Sequence, residues 1–164
     1  MTTTRALLAE FSHEAKTTRT HLSRIPEDKL DWQPHEKSFT TRALASHIVE
    51  CLAWMQSIFS ADEFDFDPAT YRPFSASSVA DLLAVFDHNV AEGERALSQS
   101  ADAEMSQPWR MMIRGRVRFE KPKADVFRDF TLSHVIHHRG QLSVYLRLLD
   151  VAVPGSYGPS ADEQ

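Results

Sequence analysis

The chain has 164 residues, 42% of them hydrophobic and 25% charged, which is enough to bury the core of one domain and short for two. Its formal net charge of -5 argues against nucleic acid or an anionic membrane surface as a partner, because both attract positively charged proteins. No stretch reaches the roughly 20 apolar residues of a membrane span, and the first eleven residues lack the apolar run of a signal peptide. We therefore expect one cytoplasmic domain, residues 1–164, with a small molecule or a protein as its partner.

Four stretches repeat apolar residues at the spacing of one helix face. The first ends before Pro26, the second starts near Thr40, the third opens at a capping serine, Ser78, and the fourth runs from just after Pro122 to a stop at Pro154. The apolar residues are Leu7, Leu8, Phe11, Ala15 and Leu22 in the first stretch; Leu44, Ile48, Cys51, Leu52, Met55 and Phe59 in the second; Val79, Leu82, Phe86, Val90 and Leu97 in the third; and Phe127, Phe130, Leu142, Tyr145, Leu146 and Leu149 in the fourth.

The connections between these stretches differ in character. Residues 25–39 and 62–77 are rich in Pro, Asp and Ser, which predicts surface loops. Residues 109–119, WRMMIRGRVRF, alternate apolar and basic side chains, which predicts a short strand or hairpin with a bend at Gly115. The apolar side of this alternation holds Ile113, Val117 and Phe119. The sequence as a whole predicts an all-α fold, a four-helix bundle with a short strand or hairpin before the last helix.

Three histidines stand close together in the fourth stretch, TLSHVIHHRGQLSVYLR. His134 and His138 are four residues apart, so they lie on one helix face and point into the bundle, whereas His137 falls at its edge. His47 occupies the same inward stripe of the second helix. Three inward imidazoles on two helices are typical of an open site for a divalent metal. In the alternative interpretation, His47 is a core histidine bonded to a backbone carbonyl, and the 134/138 pair is a coincidence of spacing.

Two other metal patterns are absent from the sequence. A zincin needs a glutamate directly after the first histidine of HExxH, and Val135 stands there. A di-iron carboxylate bundle needs glutamate three residues before each histidine, and Thr131 and Leu44 occupy those positions. A mononuclear, nitrogen-rich site remains.

The sequence resembles the DinB/YfiT-like family. The resemblance runs from about Thr4 to the C-terminus and is carried by LDWQPHEKSFT, by LASHIVE around His47, by HVIHHRGQLSVYLR and by VPGSYGPSADE. It implies a four-helix bundle, a homodimer, and one divalent metal held by residues that map onto His47, His134 and His138. Characterised relatives include transferases that use low-molecular-weight bacterial thiols and a thiol-dependent isomerase. The imidazole ligands favour a transition metal, zinc first, with nickel or iron as alternatives.

Several other residues are candidates for a role at this site. Cys51 lies one turn beyond His47 and either approaches the metal or packs as a small apolar side chain. Glu50 either accepts the proton of the second nitrogen of His47 or lies on a solvated face. Arg139 and Gln141 would hold a substrate carboxylate or orient a ligand, with a surface arginine and an interhelical glutamine as the alternatives. Tyr145 would present its hydroxyl to the site or pack in the core.

Two further features of the sequence concern the surface of the protein. The basic segment 110–123 forms either a positive rim for an anionic substrate or a charged strand edge that resists aggregation. Apolar residues outside the stripes, Ile58, Phe64 and Phe66, agree with the expected homodimer because they leave surface to cover.

The sequence thus favours a metal-dependent enzyme of the thiol S-transferase type, and a hydrolase using metal-bound water is its nearest variant. The alternative is a non-catalytic metal-binding stress protein or ligand-binding module. No acid or base stands at a fixed spacing from the histidines, so the sequence identifies no catalytic side chain.

Overall fold

The computed structural model describes residues 2–163. Three long helices and a fourth, segmented one form a bundle, which confirms the predicted fold class. The helices are α1 (Thr3–Leu22), α2 (Thr41–Ser60), α3 (Val79–Gln99), α4 (Lys123–Phe127) and α5 (Ser133–Leu148), with a π-helical turn at Arg128–Leu132 between the last two and short 3-10 helices at Glu27–Lys29 and Asp102–Ser106.

Side-chain caps define where the first three helices begin. The hydroxyls of Thr2, Thr40 and Ser78 each accept a hydrogen bond from the backbone amide three residues later, at 3.4, 3.1 and 3.0 Å. Each bond satisfies one of the amides that have no partner within the first turn. The predicted starts of the second and third helices are therefore confirmed.

The apolar stripes of the helices meet in one main core. Its fully buried residues include Leu7, Phe11, Leu44, Ile48, Leu82, Phe86, Leu142 and Leu146. At Gly93 on α3 a β-carbon would lie 2.7 Å from Met55 Sδ and 3.0 Å from Phe11 Cζ. A larger residue at this position would force the Met55 side chain and the Phe11 ring to shift, so glycine favours the close packing of α3 against α1 and α2.

A three-stranded sheet covers one end of α2. Its strands are β1 (Glu63–Phe66), β2 (Pro108–Ile113) and β3 (Arg116–Pro122), in the order β1-β2-β3. The β2–β3 hairpin is the predicted one, and its two-residue turn places Arg114 and Gly115 at φ 50° and 71°. The interpretation of residues 62–77 as loop alone was wrong, because β1 pairs in parallel with β2.

The predicted apolar side of the hairpin is buried only in part. Trp109 and Met111 are buried and Phe119 is half-buried, whereas Ile113 and Val117 are 37% and 56% exposed. The two exposed residues flank the turn at Arg114 and Gly115. The indole of Trp109 donates to the Ser57 carbonyl at 3.1 Å, which fixes the sheet to α2.

Ile58 is buried at 1% exposure under this sheet, together with Trp109, Met111 and Val126. Half-buried Phe64 and Phe66 pack against the same cluster. The apolar residues that we attributed to a dimer contact, Ile58, Phe64 and Phe66, therefore pack largely within the chain.

The homodimer remains a prediction. Val144 and Leu148 are 57% and 56% exposed and lie one turn apart on α5, so they provide an apolar surface for a second copy. We expect light scattering at micromolar concentration to give twice the chain mass of 18.6 kDa, and Val144→Asp with Leu148→Asp to give the monomer mass. A monomer mass for the wild type would contradict the prediction.

The fourth helix differs from the prediction at two points. It contains the π-helical turn, which apolar spacing did not indicate, and it ends at Leu148 rather than continuing to Pro154. Asp150 adopts φ 57°, and the Val151 amide donates back to the Leu146 carbonyl at 3.0 Å, a typical helix end. Over residues 2–163, the protein has no helix with the length and apolar character needed to cross a bilayer.

Candidate metal centre

The structure brings the three predicted histidines together between α2 and α5. The ring centroids of His47 and His134 are 5.0 Å apart, those of His47 and His138 are 4.7 Å apart, and those of His134 and His138 are 4.8 Å apart. His138 is buried, His47 and His134 are partly buried, and His137 is exposed. The predicted division into three inward rings and one edge ring matches this arrangement.

The ring nitrogens of this triad are held in a definite orientation. His47 Nε2 and His134 Nε2 face each other at 3.3 Å. The other nitrogen of His47 lies 3.5 Å from Glu50 Oε2, and His138 Nδ1 lies 2.8 Å from Gln141 Oε1. Partners of this kind fix the tautomer of a metal-binding histidine and leave the opposite nitrogen for the ion.

The 3.3 Å separation fits a shared ion. Two nitrogens that are each about 2.0–2.1 Å from one tetrahedral cation are about 3.3–3.4 Å apart. A direct N–H···N bond between the rings fits the distance as well, but it moves a proton onto one Nε2. If that ring is a neutral His47, its Nδ1 then faces Glu50 without a hydrogen. A cation satisfies both rings at once.

Cys51 belongs to the same group of donor atoms. Ligand atoms of His47, Cys51 and His134 all lie within 4.8 Å of one another, and Cys51 Sγ is 3.9 Å from His47 Nε2. His138 lies outside this closest group, although its ring adjoins both other imidazoles. Burial, reinforced by the nearby Glu50 carboxylate, raises the pKa of the Cys51 thiol to about 12. The group is thus suited to a metal, with His138 and Cys51 as competing third ligands.

The histidine pKa values reflect the crowding of the rings. Burial, followed by the charge of His47, lowers the pKa of His134. Burial also lowers the pKa of His138, while its hydrogen bond with Gln141 opposes the change. Both imidazoles are therefore held in the neutral form that binds metals.

Glu50 connects the triad to the segment that follows β1. One carboxylate oxygen faces His47, and the other accepts hydrogen bonds from the Tyr71 hydroxyl at 2.8 Å and from the Phe74 amide. Burial, with a further contribution from Glu50, raises the pKa of Tyr71. Of the two interpretations offered for Glu50, the one in which it orients His47 fits the structure, because its side chain is only 12% exposed.

Two cavities adjoin the triad. The first has a volume of about 290 Å³ and is lined by His47, Glu50, Cys51, Trp54, Phe66, Tyr71, Pro73, Phe130 and His134. We call it the aromatic cavity. The second, about 450 Å³, is lined by Lys37, Ser38, Phe39, His138, Gln141, Val144 and Tyr145. The sequence prediction missed the contribution of Phe66 and Tyr71, although the alternation Glu63-Phe64-Asp65-Phe66 is a short strand signal.

Arg139 is buried against α1, so both interpretations of it, a contact with a substrate carboxylate and a surface arginine, were wrong. Its side chain is 2% exposed and donates to Glu14 Oε2 at 2.6 Å and to Thr18 at 3.2 Å. The Tyr157 hydroxyl accepts from Arg139 at 3.0 Å and donates to Glu14 at 3.1 Å. We call these four residues the Arg139 network. It ties α5 and the C-terminal segment to α1.

The remaining candidates have structural partners. The Tyr145 hydroxyl donates to the Phe39 carbonyl at 3.0 Å, which supports the core interpretation of this residue. In the basic segment, four side chains pair with carboxylates: Arg110 with Glu63 and Glu120, Arg114 with Asp67, Lys121 with Asp129, and Lys123 with Asp62. These pairs offset much of the positive charge that an anion-binding rim would need.

Buried His21, near the Arg139 network, gives a prediction about pH. Its Nδ1 donates to the Thr17 carbonyl at 2.9 Å. Burial is the main cause that lowers its pKa, and Arg139 adds to the effect while Glu163 opposes it. Below the unfolded-state pKa of about 6.5 the unfolded chain binds more protons than the folded one, so stability is lost as pH falls from there through the folded-state pKa.

We expect the loss of unfolding free energy between pH 7.5 and pH 5.5 to be smaller in His21→Gln than in the wild type. Urea unfolding at both pH values measures it. His13→Gln changes an exposed histidine of the same helix and should keep the wild-type dependence. An unchanged pH dependence in His21→Gln would show that His21 does not contribute to acid destabilisation.

The fold and site define a class: helical-bundle proteins with a histidine-rich cluster between two helices whose donor atoms are close enough to hold a metal ion. The DinB family profile matches residues 1–164, and the chain belongs to the DinB family. The uncharacterised protein YrdA of Bacillus subtilis (strain 168) is 24% identical over 163 residues, covering 95% of this chain and 89% of YrdA.

Solved structures of two DinB-like proteins share the fold. The protein from Bacillus cereus ATCC 10987 superposes with a TM-score of 0.73 at 20% identity, covering 92% of this chain and 95% of its own. The YjoA protein of Bacillus subtilis superposes with a TM-score of 0.71 at 15% identity, covering 97% of this chain and 99% of its own.

Proposed function

We propose that this protein is a metal-dependent enzyme of the thiol S-transferase type that holds one divalent transition metal through His47, His134 and His138. Zinc is the first candidate, with nickel or iron as alternatives. The observation that carries the proposal is the convergence of the three imidazoles, two of which have their second nitrogen engaged, His47 by Glu50 and His138 by Gln141.

The residues around the centre have separate tasks. A bound cation would lower the pKa of a coordinated thiol and so supply a thiolate near neutral pH. Glu50 orients His47, and Gln141 orients His138, so that the ligands need little rearrangement. The aromatic cavity gives the side of the centre formed by His47 and His134 a largely apolar surface. A soft thiolate suits a centre with neutral ligands, because these leave the charge of the ion uncompensated.

The two cavities support a reaction with two substrates. The aromatic cavity meets His47 and His134, and the second cavity meets His138 and Gln141. Two reactants can therefore approach one centre from different sides, as a group transfer requires. Small molecules of cytoplasmic origin are the expected substrates.

One observation favours a non-catalytic binding module as the second candidate. Glu50 is the only carboxylate among the residues lining the aromatic cavity, and it is engaged by His47, Tyr71 and Phe74. A free general base is thus not present among these residues, which also counts against the hydrolase variant.

The deciding experiment combines zinc-loaded protein with a panel of low-molecular-weight thiols and an electrophilic acceptor, and measures thioether formation. We expect turnover that saturates in one thiol, disappears after chelation and is absent in His47→Ala. The exposed-site variant His137→Ala should retain it. Thiol binding without turnover across the panel would favour the binding module, and turnover by fully chelated protein would reject the metal mechanism.

A further inference from the structure

The aromatic cavity has walls formed by rings from three separate elements. The Trp54 ring from α2 lies with its centroid 6.1 Å from that of Phe66 in β1 and 6.4 Å from that of Phe130 in the π-helical turn. Tyr71 adds a fourth ring, 5.0 Å from Phe66. Main-chain segments far apart in sequence thus present aromatic surface to one space next to His47 and His134.

The polar groups of this cavity lie at its metal end. The Tyr71 hydroxyl is directed to Glu50, which is itself 12% exposed and also bonded to the Phe74 amide. The donor atoms of His47, Cys51 and His134 form the adjoining cluster. A ligand therefore meets rings over most of its length and coordinating atoms at one end.

The volume limits the size of the ligand. About 290 Å³ is at the lower end of the range of roughly 300–1,000 Å³ found for small-molecule pockets. A single aromatic ring with a short side chain fits this space, and aromatic rings pack favourably edge to face or offset against other rings. A polar sugar or peptide conjugate would leave its hydrogen-bonding groups unsatisfied against these walls.

We propose that the aromatic cavity is the subsite for a neutral reactant that carries one aromatic ring, joined by one or two carbons to the atom that reacts at the metal centre. This inference rests on the proposed metal-centred function and names the substrate class of that site. The second cavity, which contains Lys37 and Ser38, is left for the polar thiol.

Binding of a probe to metal-loaded protein tests the subsite, because benzyl mercaptan carries one ring and, one carbon away, a sulfur that stands in for the reacting atom at the metal centre. Co(II)-loaded protein is titrated with benzyl mercaptan and with 2-mercaptoethanol, and the thiolate-to-cobalt absorption band reports each dissociation constant. We expect benzyl mercaptan to bind about ten-fold more tightly or better, because its ring is buried against the cavity walls.

Two matched variants show where the preference arises. Phe66 and Phe119 are both half-buried strand residues of the same aromatic cluster, but only Phe66 lines the cavity. We expect Phe66→Ala to reduce the preference for benzyl mercaptan about five-fold and Phe119→Ala to retain it, with thermal unfolding confirming that both variants fold. Equal affinity for the two thiols, or equal loss in the two variants, would overturn the proposal.

An experiment on metal-free protein tests the subsite independently of the proposed metal-centred function. Fluorine NMR of chelated wild-type protein should show line broadening of 4-fluorobenzyl alcohol that excess benzyl alcohol reverses, and no broadening of trifluoroethanol. Failure of Co(II) to bind would reject the metal-centred function, while the broadening would still support the subsite. Identical behaviour of the two alcohols would overturn the subsite itself.

Discussion

Replacing His47, His134 or His138 with alanine is expected to weaken zinc binding about 100-fold or more, because each change removes one of three imidazole ligands from a mononuclear site. Isothermal titration with Zn(II), after removal of metal by chelation, measures the three affinities. The wild-type protein should bind about one ion per chain, as three ligands of this kind describe one site.

His137→Ala is the matched control for these variants. His137 is exposed on the same helix, and its ring adjoins that of His138. This variant therefore tests whether a histidine that is close to the triad but does not point inward contributes to zinc binding. We expect its zinc affinity to stay within about two-fold of the wild type. Equal losses in His137→Ala and His138→Ala would contradict the assignment of helix faces. If Cys51→Ser abolishes zinc binding and His138→Ala does not weaken it, the third metal ligand is the Cys51 thiol and not His138.

The second large effect concerns the Arg139 network. Glu14→Gln removes the carboxylate that pairs with the almost fully buried Arg139 and leaves its charge uncompensated. Breaking a buried pair from one side costs about 3–5 kcal/mol, so we expect an unfolding free energy lower by that amount in urea titrations.

Asp87→Asn provides the comparison. It breaks an ion pair of similar length, Arg19 to Asp87 at 2.7 Å, whose side chains are each 48% exposed. Exposed pairs contribute about 0–1 kcal/mol, so this variant should be close to the wild type in stability. Similar losses in the two variants would show that burial does not determine the contribution of the Arg139 network. Neither Arg19 nor Asp87 lines the cavities that adjoin the triad. We therefore expect Asp87→Asn to bind zinc with the wild-type affinity.

The inward orientation of the three histidines could be predicted because it follows from helix periodicity. His47 lies on the stripe that contains Leu44 and Cys51, both of which are buried. His134 and His138 are one turn apart, and the end of the fourth helix that contains them is regular. Local spacing was therefore sufficient to place the rings near one another.

The π-helical turn could not be predicted in this way. An extra residue in one turn changes the hydrogen-bonding pattern without changing the composition, and Phe130 fitted an ordinary helical stripe. In the structure Phe130 lines the aromatic cavity, as does His134 in the helix that follows the turn directly. The turn thus contributes one wall of the cavity beside a candidate ligand.

Long-range partners account for the other errors. Arg139 pairs with Glu14, 125 residues away in sequence, and nothing near Arg139 indicates that it is buried. Strand β1 has four residues and is stabilised by pairing with β2, which lies over 40 residues later. Both features depend on tertiary contacts, which local patterns do not specify.

X-ray absorption spectroscopy of the zinc-loaded wild-type protein tests the central claim most directly. Three histidine ligands predict a first shell of nitrogen or oxygen atoms at about 2.0–2.1 Å, with the multiple-scattering pattern of about three imidazoles. That pattern should weaken in His138→Ala. A first shell without imidazole scattering, or one with sulfur at about 2.3 Å that is unchanged in His138→Ala, would contradict a centre formed by His47, His134 and His138.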